Sequence, residues 1–284
     1  MIERYYFLFG IALVWIVFAV VQDLKKREIS NWLNFSLIGF ALAYRAFYAS
    51  AFGEWKFFAF GLIGFGMFFA LANAFYYSRI FGGGDAKLLM GLGAILPFES
   101  FWDFAFAGLG FVLLLFLTGA GYSIVYSAFI AGKNWVRFKK RLALKIENNK
   151  YLFLASFAFS ALFFALMKDY PFAAYSGGIF ILILPLAYFY LNAVDECMVN
   201  LTHPSKLSEG DWLERDIRIG GKVVRKSVHG LSVEDIALLR KFGKRALIKE
   251  GIPFAPVFLI SFLIMVSFFL ASGFHLEKLV SFLF

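Results

Sequence analysis

One cysteine, six prolines and three histidines are all that the 284 residues hold of these types. A lone Cys197 excludes a disulfide within the chain and a zinc site built on cysteines. His203 and His229 stand isolated and are read as solvated residues, so no metal site is expected. Charged residues are also scarce, at 17%, against 61% hydrophobic residues and a mean hydropathy of +0.75. That balance excludes a soluble domain and leaves a polytopic membrane protein. Acids are scarcer than bases, 19 against 28, for a net charge of +9. The basic excess lies in loops between apolar runs. It is therefore read as cytoplasmic loops and not as a nucleic-acid surface. No small-x-small site follows the first apolar run, which is expected to remain as a helix.

What the chain has is apolar length. Stretches able to span a bilayer run over Tyr5–Val21, Trp32–Ala49, Phe57–Tyr77, Phe101–Ile130, Tyr151–Met167, Tyr175–Val194 and Phe254–Ser272. Each approaches the roughly 20 residues that a crossing needs. Ala86–Leu96 is shorter. The basic segments decide whether it crosses: Lys25–Arg27, the loop 132–150 and the segment 196–252 all fall on one side only if it does. The expected architecture is an all-α membrane bundle of about eight segments, one of them short, with both termini outside. Residues 1–195 form the bundle, 196–252 a small cytoplasmic α/β module, and 253–284 the last helix and an outer tail.

Two acids stand out against this background. Asp85 follows three glycines in Phe81-Gly82-Gly83-Gly84-Asp85-Ala86-Lys87. A charge at membrane depth costs roughly 2.5–3.5 kcal/mol on insertion scales and marks a functional site by default. Helix is expected from Ala86, which puts Asp85 in a first turn where the helix dipole favours an anion. The glycines read as a platform on which a second peptide backbone could lie in extended form. Asp23 ends the first apolar run, and the charge-derived topology brings it to the same side as Asp85. Two neighbouring acids can share a proton, the ionised one activating water and the neutral one polarising a carbonyl.

The residues Gly82-Gly83-Gly84-Asp85, together with Asp23, its basic follow-on Lys25-Lys26-Arg27 and Ile29-Ser30-Asn31, resemble the type IV prepilin and preflagellin peptidases. These are the GxGD aspartyl proteases of membranes. Ser30 stands where that family usually has proline. The resemblance covers roughly the first 97 residues and returns at Gly251-Ile252-Pro253-Phe254-Ala255-Pro256, similar to the start of the last helix of archaeal members. The chain lacks the paired CxxC elements of many bacterial members, which points to the archaeal branch and away from the N-methyltransferase activity found in bacteria. The resemblance implies catalytic Asp23 and Asp85, with their acid and base roles unassigned, and no cofactor. The implied partners are a pilin-like or archaellin precursor and the lipid bilayer, not nucleic acid. The implied site of cleavage is the cytoplasmic face of the cell membrane. Two alternatives stay open: a presenilin-like intramembrane protease, and a transporter whose buried acids carry protons or cations.

Around the acids, Gly82, Gly83, Gly84, Asn31 and Lys87 are candidate substrate-binding residues. Asn31 is also a candidate helix cap, and Lys87 a base snorkelling to the interface. Asn34 lies one helical turn beyond Asn31. Arg45 is expected to snorkel at the outer end of the second span. Gly61 and Gly64 mark a close helix packing face. Asp195 and Glu196 are second-choice catalytic acids. In the 196–252 module, Trp212–Ile219 and Lys222–Val228 flank Gly220-Gly221 as a hairpin. Ser232 to Asp235 opens a helix, and Arg245–Lys249 reads as a strand. The acids Glu209, Asp211, Glu214 and Asp216 are a solvated surface or a contact for a basic leader.

Overall fold

The computed structural model describes residues 3–227 and 230–272. Helices dominate, in the order α1 (Glu3–Lys26), α2 (Asn31–Phe52), α3 (Trp55–Tyr77) and α4 (Gly83–Gly93), followed by a single turn α5 (Phe101–Asp103). The chain passes from α5 through a π-helical stretch, Phe104–Leu109, into α6 (Gly110–Lys133). Then come α7 (Trp135–Asn148), α8 (Lys150–Leu166), α9 (Pro171–Cys197), α10 (Val233–Lys241) and α11 (Ala255–Ser272). Among the described residues, five helical runs are long and apolar enough to cross a membrane: α1, α2, α3, the continuous stretch Phe101–Lys133, and α9. A sixth arises if α7 and α8, bent by 67° at their junction, are taken as one broken span. α4 has 11 residues and so reaches only ~16 Å. The residues divide into two compact units, Met1–Ser123 with Pro253–Phe284, and Ile124–Ile252.

The first unit is built round α4. Its one apolar core joins Leu8, Ile16, Leu33, Leu37, Leu89, Leu92 and Phe98 to Phe258, Phe262 and Phe269 of α11. The C-terminal helix therefore returns to pack on the first, where Phe9 meets Phe262 and Phe269. α3 and α4 touch backbone to backbone. A Cβ added at Gly64 would lie 2.5 Å from the Gly93 carbonyl oxygen, and one at Gly93 2.7 Å from that of Gly64. The expected packing face is thus internal. Backbone atoms cannot rotate aside, so Gly64→Ala is expected to cost about 1–3 kcal/mol. Gly66→Ala, which meets nothing within 4 Å, is the control. Thermal midpoints in detergent compare the two.

Arg45 departs from its expected snorkelling position. It is fully buried, at 0% exposure, and its guanidinium donates to the carbonyls of Phe57 (2.7 Å), Ala94 (2.7 Å), Ile95 (3.4 Å) and Leu96 (2.8 Å). The physical reason is the shortness of α4. Its last carbonyls open inside the apolar core, where no water can take them, and a charged fork supplies the donors. Gly61 makes the space, since a Cβ there would collide with the Arg45 side chain. Arg4 sits nearby, paired with Glu54 and, at 2.6 Å, with Glu99.

In the second unit, Phe138 of α7 packs on Ala193, Val194 and Cys197 of α9. Beyond α9 lies the small α/β module. β1 (Val199–Thr202), β5 (Ala246–Lys249) and β2 (Trp212–Leu213) form an antiparallel sheet in the order β1-β5-β2. β3 (Ile217–Ile219) and β4 (Lys222–Val224) form the hairpin over Gly220-Gly221, with Ile217 opposite Val224. Its arms are shorter than expected, because Trp212–Leu213 pairs with β5 instead. Val228, at the end of the expected second arm, and His229 lie outside the described residues. Ser232 and Asp235 close a reciprocal capping box at the start of α10. His203 is engaged with Ser205.

Candidate active site

Asp23 lies three residues from the end of α1, and Asp85 in the first turn of α4. Both acids belong to the first unit, and Ile29, on the link that follows Asp23, packs against Gly84, the neighbour of Asp85. Asp23 is 7% exposed, and its Oδ2 accepts the backbone N–H of Ala255 at 2.9 Å. Ala255 is the first residue of α11, so a free amide of that helix end meets the carboxylate. Asp85 is half-buried and turns back on the backbone of Gly82; a Cβ there would stand 3.4 Å from its Oδ2.

The link from Asp23 to α2 is short and tied. Arg27 closes the end of α1 with a positive φ of 58°. The Ser30 amide and hydroxyl both donate to Gln22 Oε1, at 2.9 and 2.7 Å. A proline at position 30 would lack the first of these donors, so the serine exploits its departure from the family pattern. Ser30, and not Asn31, takes the N-cap position of α2, without a side-chain capping bond.

The structure alters the reading of the glycines. α4 starts at Gly83, not Ala86, so Gly83 and Gly84 form helix and only Gly82 is extended, at φ −68° and ψ 163°. Tertiary packing overrides the low helix propensity of glycine here. Gly84 lies against Ile29, where a Cβ would come within 3.0 Å of the isoleucine Cβ. Gly82 is the exposed member of the three.

Lys87 is engaged by α2. Its Nζ donates to Asn31 Oδ1 at 2.6 Å. Asn34, one turn further along α2, donates through Nδ2 to the Gly84 carbonyl at 3.2 Å. Four of the seven candidate residues, Gly84, Lys87, Asn31 and Asp23, are thus held by neighbouring elements of one unit, and Asp85 by the backbone of Gly82 in its own turn. The contributions of Asn34 and of the Ala255 amide were not read as part of the site. The i, i+3 spacing of Asn31 and Asn34 was the available signal for the first, and the 251–256 motif for the second.

The second-choice acids are occupied elsewhere. Asp195 pairs with Lys249 at 2.7 Å, and Glu196 with Arg141 and Lys145, both at 3.0 Å. Two of the acids in the α/β module hold its loops. Asp211 accepts the Ser208 amide and Asp216 the Lys226 amide. Burial raises the carboxyl of Asp211 above its ordinary range, partly countered by the Ser208 amide.

Residues 10–124, which contain the whole of this site except the α11 amide, match the model of the Type IV leader peptidase family. The chain is also similar to preflagellin peptidases of three methanogens. It is 33% identical to that of Methanocaldococcus jannaschii over 89 residues, 31% of this chain and 38% of the relative. It is 32% identical to that of Methanococcus voltae over 95 residues, 33% and 40% of the two chains. It is 32% identical to that of Methanococcus maripaludis over 82 residues, 29% and 35%. The chain thus spans about two fifths of the length of these curated relatives. No solved structure matches it.

Proposed function

We propose that the protein is a membrane aspartic endopeptidase that removes the short basic leader of archaellin or pilin-like precursors. The observation that carries this reading is the placement of Asp23 and Asp85, 62 residues apart in sequence, in one unit at the end of α1 and the start of α4, with Ile29 of the intervening link against Gly84. The similarity of the same stretch to leader peptidases supports it and favours leader removal over an intramembrane protease or a transporter.

In the reaction, the ionised carboxylate takes a proton from water, and the hydroxide attacks the scissile carbonyl carbon. The neutral acid gives its proton to the carbonyl oxygen. Collapse of the tetrahedral species returns a proton to the leaving amine and frees the new carboxylate. The two acids act as a coupled pair, so neither role is fixed to one residue. Both proton transfers are supplied by side chains, and a metal chelator is expected to leave the rate unchanged.

The substrate segment must be extended, because a helix engages its carbonyls in its own hydrogen bonds. Exposed Gly82, with the glycine turn behind it, is the proposed seat of that segment, and Lys87 and Asn31 flank it. Lys25 and Lys26 in the last turn of α1 support a cytoplasmic site, since basic residues stay on that side.

The test is co-expression of the full chain with an archaellin-type and a pilin-type precursor in the same membranes. Cleavage is read as a mobility shift, and the new N-terminus is sequenced. A cut between the basic leader and the hydrophobic helix is expected, with EDTA without effect. Both precursors remaining intact at normal levels of the protein would sink the proposal.

A further inference from the structure

Asn34 is fully buried, at 0% exposure, on α2 between the core residues Leu33 and Leu37. Its Nδ2 reaches the Gly84 carbonyl, but its Oδ1 has no hydrogen-bond partner among the described residues. A buried acceptor left unpaired destabilises a fold, and each such group in a native structure requires an explanation. The bond it does make adds little to the fold. Gly84 lies within α4, where its carbonyl belongs to the helix's own ladder. A leucine of similar volume would suit this apolar position better.

The carbonyl that Asn34 holds belongs to the peptide bond joining Gly84 to Asp85. One turn earlier on the same helix, Asn31 holds Lys87. α2 therefore grips α4 on both sides of the acid, at the residue before it and two residues after it. That grip acts on the softest turn of α4, since Gly83 and Gly84 bring no side chains to anchor it and the greatest backbone freedom.

We infer that Asn34 is a positioning residue for Asp85. It fixes the peptide plane from which the acid hangs, at a cost to stability that only the reaction justifies. The inference rests on the peptidase reading for its kinetic consequence, and on geometry alone for its effect on Asp85.

The decisive variant is Asn34→Leu in the full-length protein, purified in detergent. With a precursor peptide, kcat is expected to fall at least about tenfold with KM within about twofold, as an ångström of misplacement costs that or more. The thermal midpoint is expected to stay level or rise, because an unpaired buried oxygen has been removed. A merely structural residue would show the reverse, with midpoint and kcat falling together. Labelling by dicyclohexylcarbodiimide, followed peptide by peptide, gives a readout independent of cleavage. The Asp85 rate is expected to change several-fold, with a smaller change at Asp23 passed on through its coupling to Asp85. Unchanged kcat and unchanged Asp85 labelling in a folded variant would overturn the inference. If the wild type cuts no precursor, the proposed function fails, and the Asp85 labelling alone decides on Asn34. If the leucine variant does not accumulate, Asn34→Ala is read by kcat against KM and by Asp85 labelling, since the cavity it leaves lowers the midpoint by itself.

Discussion

Asp85→Asn and Asp23→Asn are each expected to leave a leader-bearing precursor uncut, with the rate down by about 10³ or more. That magnitude is what a positioned proton donor or acceptor contributes, typically about 10²–10⁴. The amide keeps the shape of the carboxyl and removes its proton chemistry. At position 23 it also keeps an oxygen that can accept the Ala255 N–H, so the docking of α11 on α1 is preserved and the protein accumulates normally. Under the proposed paired mechanism, the double variant is expected to be no worse than the worse single variant. The measurement is the initial rate of cleavage in membranes matched for protein level. Either single variant retaining more than about a tenth of the wild-type rate would contradict the paired mechanism, since such losses lie far below what general acid–base catalysis supplies. The second-choice acids offer no ready substitute: Asp195 and Glu196 are each bound to a base.

The acids were legible in the sequence because charge is rare in apolar runs. Asp23 ends one and Asp85 lies between two, and loop charges alone predict one side for both. The helical content and the small insert were legible for the same reason: long apolar periods, then a polar stretch punctuated by Gly220-Gly221 and by the Ser232–Asp235 cap. What was not legible depends on contacts distant in the chain. The amide on Asp23 comes from Ala255, 232 residues away. The glycines read as a platform ahead of a helix that begins at Ala86, because glycine disfavours helix, yet Gly84 is helical where Ile29 presses against it. Asn31 read as a cap because asparagine is a good one, but Lys87 claims its oxygen. Arg45 read as snorkelling because nothing in its own helix says that α4 ends beside it.

Arg45→Leu is expected to be the most destabilising single change in the first unit, costing about 3–5 kcal/mol, because it strips a buried charge from four carbonyls that have no access to water. The loss falls at one end of α4, and Asp85 sits at the other. A helix of 11 residues has no length to absorb a shift at its end, so activity should fall with stability. Arg45→Lys is expected to recover only part. A lysine has three donors on one nitrogen and cannot span Phe57, Ala94 and Leu96 with the planar fork that reaches all three. The thermal midpoint of each variant in detergent checks the order wild type, lysine, leucine. Gly61→Ala supplies an independent check, since its new methyl group would displace the same guanidinium. Its effect should therefore shrink in the Arg45→Leu background, where the side chain it strikes is already gone. Additive losses would mean that Gly61 serves another contact. A leucine variant as stable as the wild type would mean that the carbonyls at the end of α4 find other donors, and that Arg45 is not what sets the place of the helix.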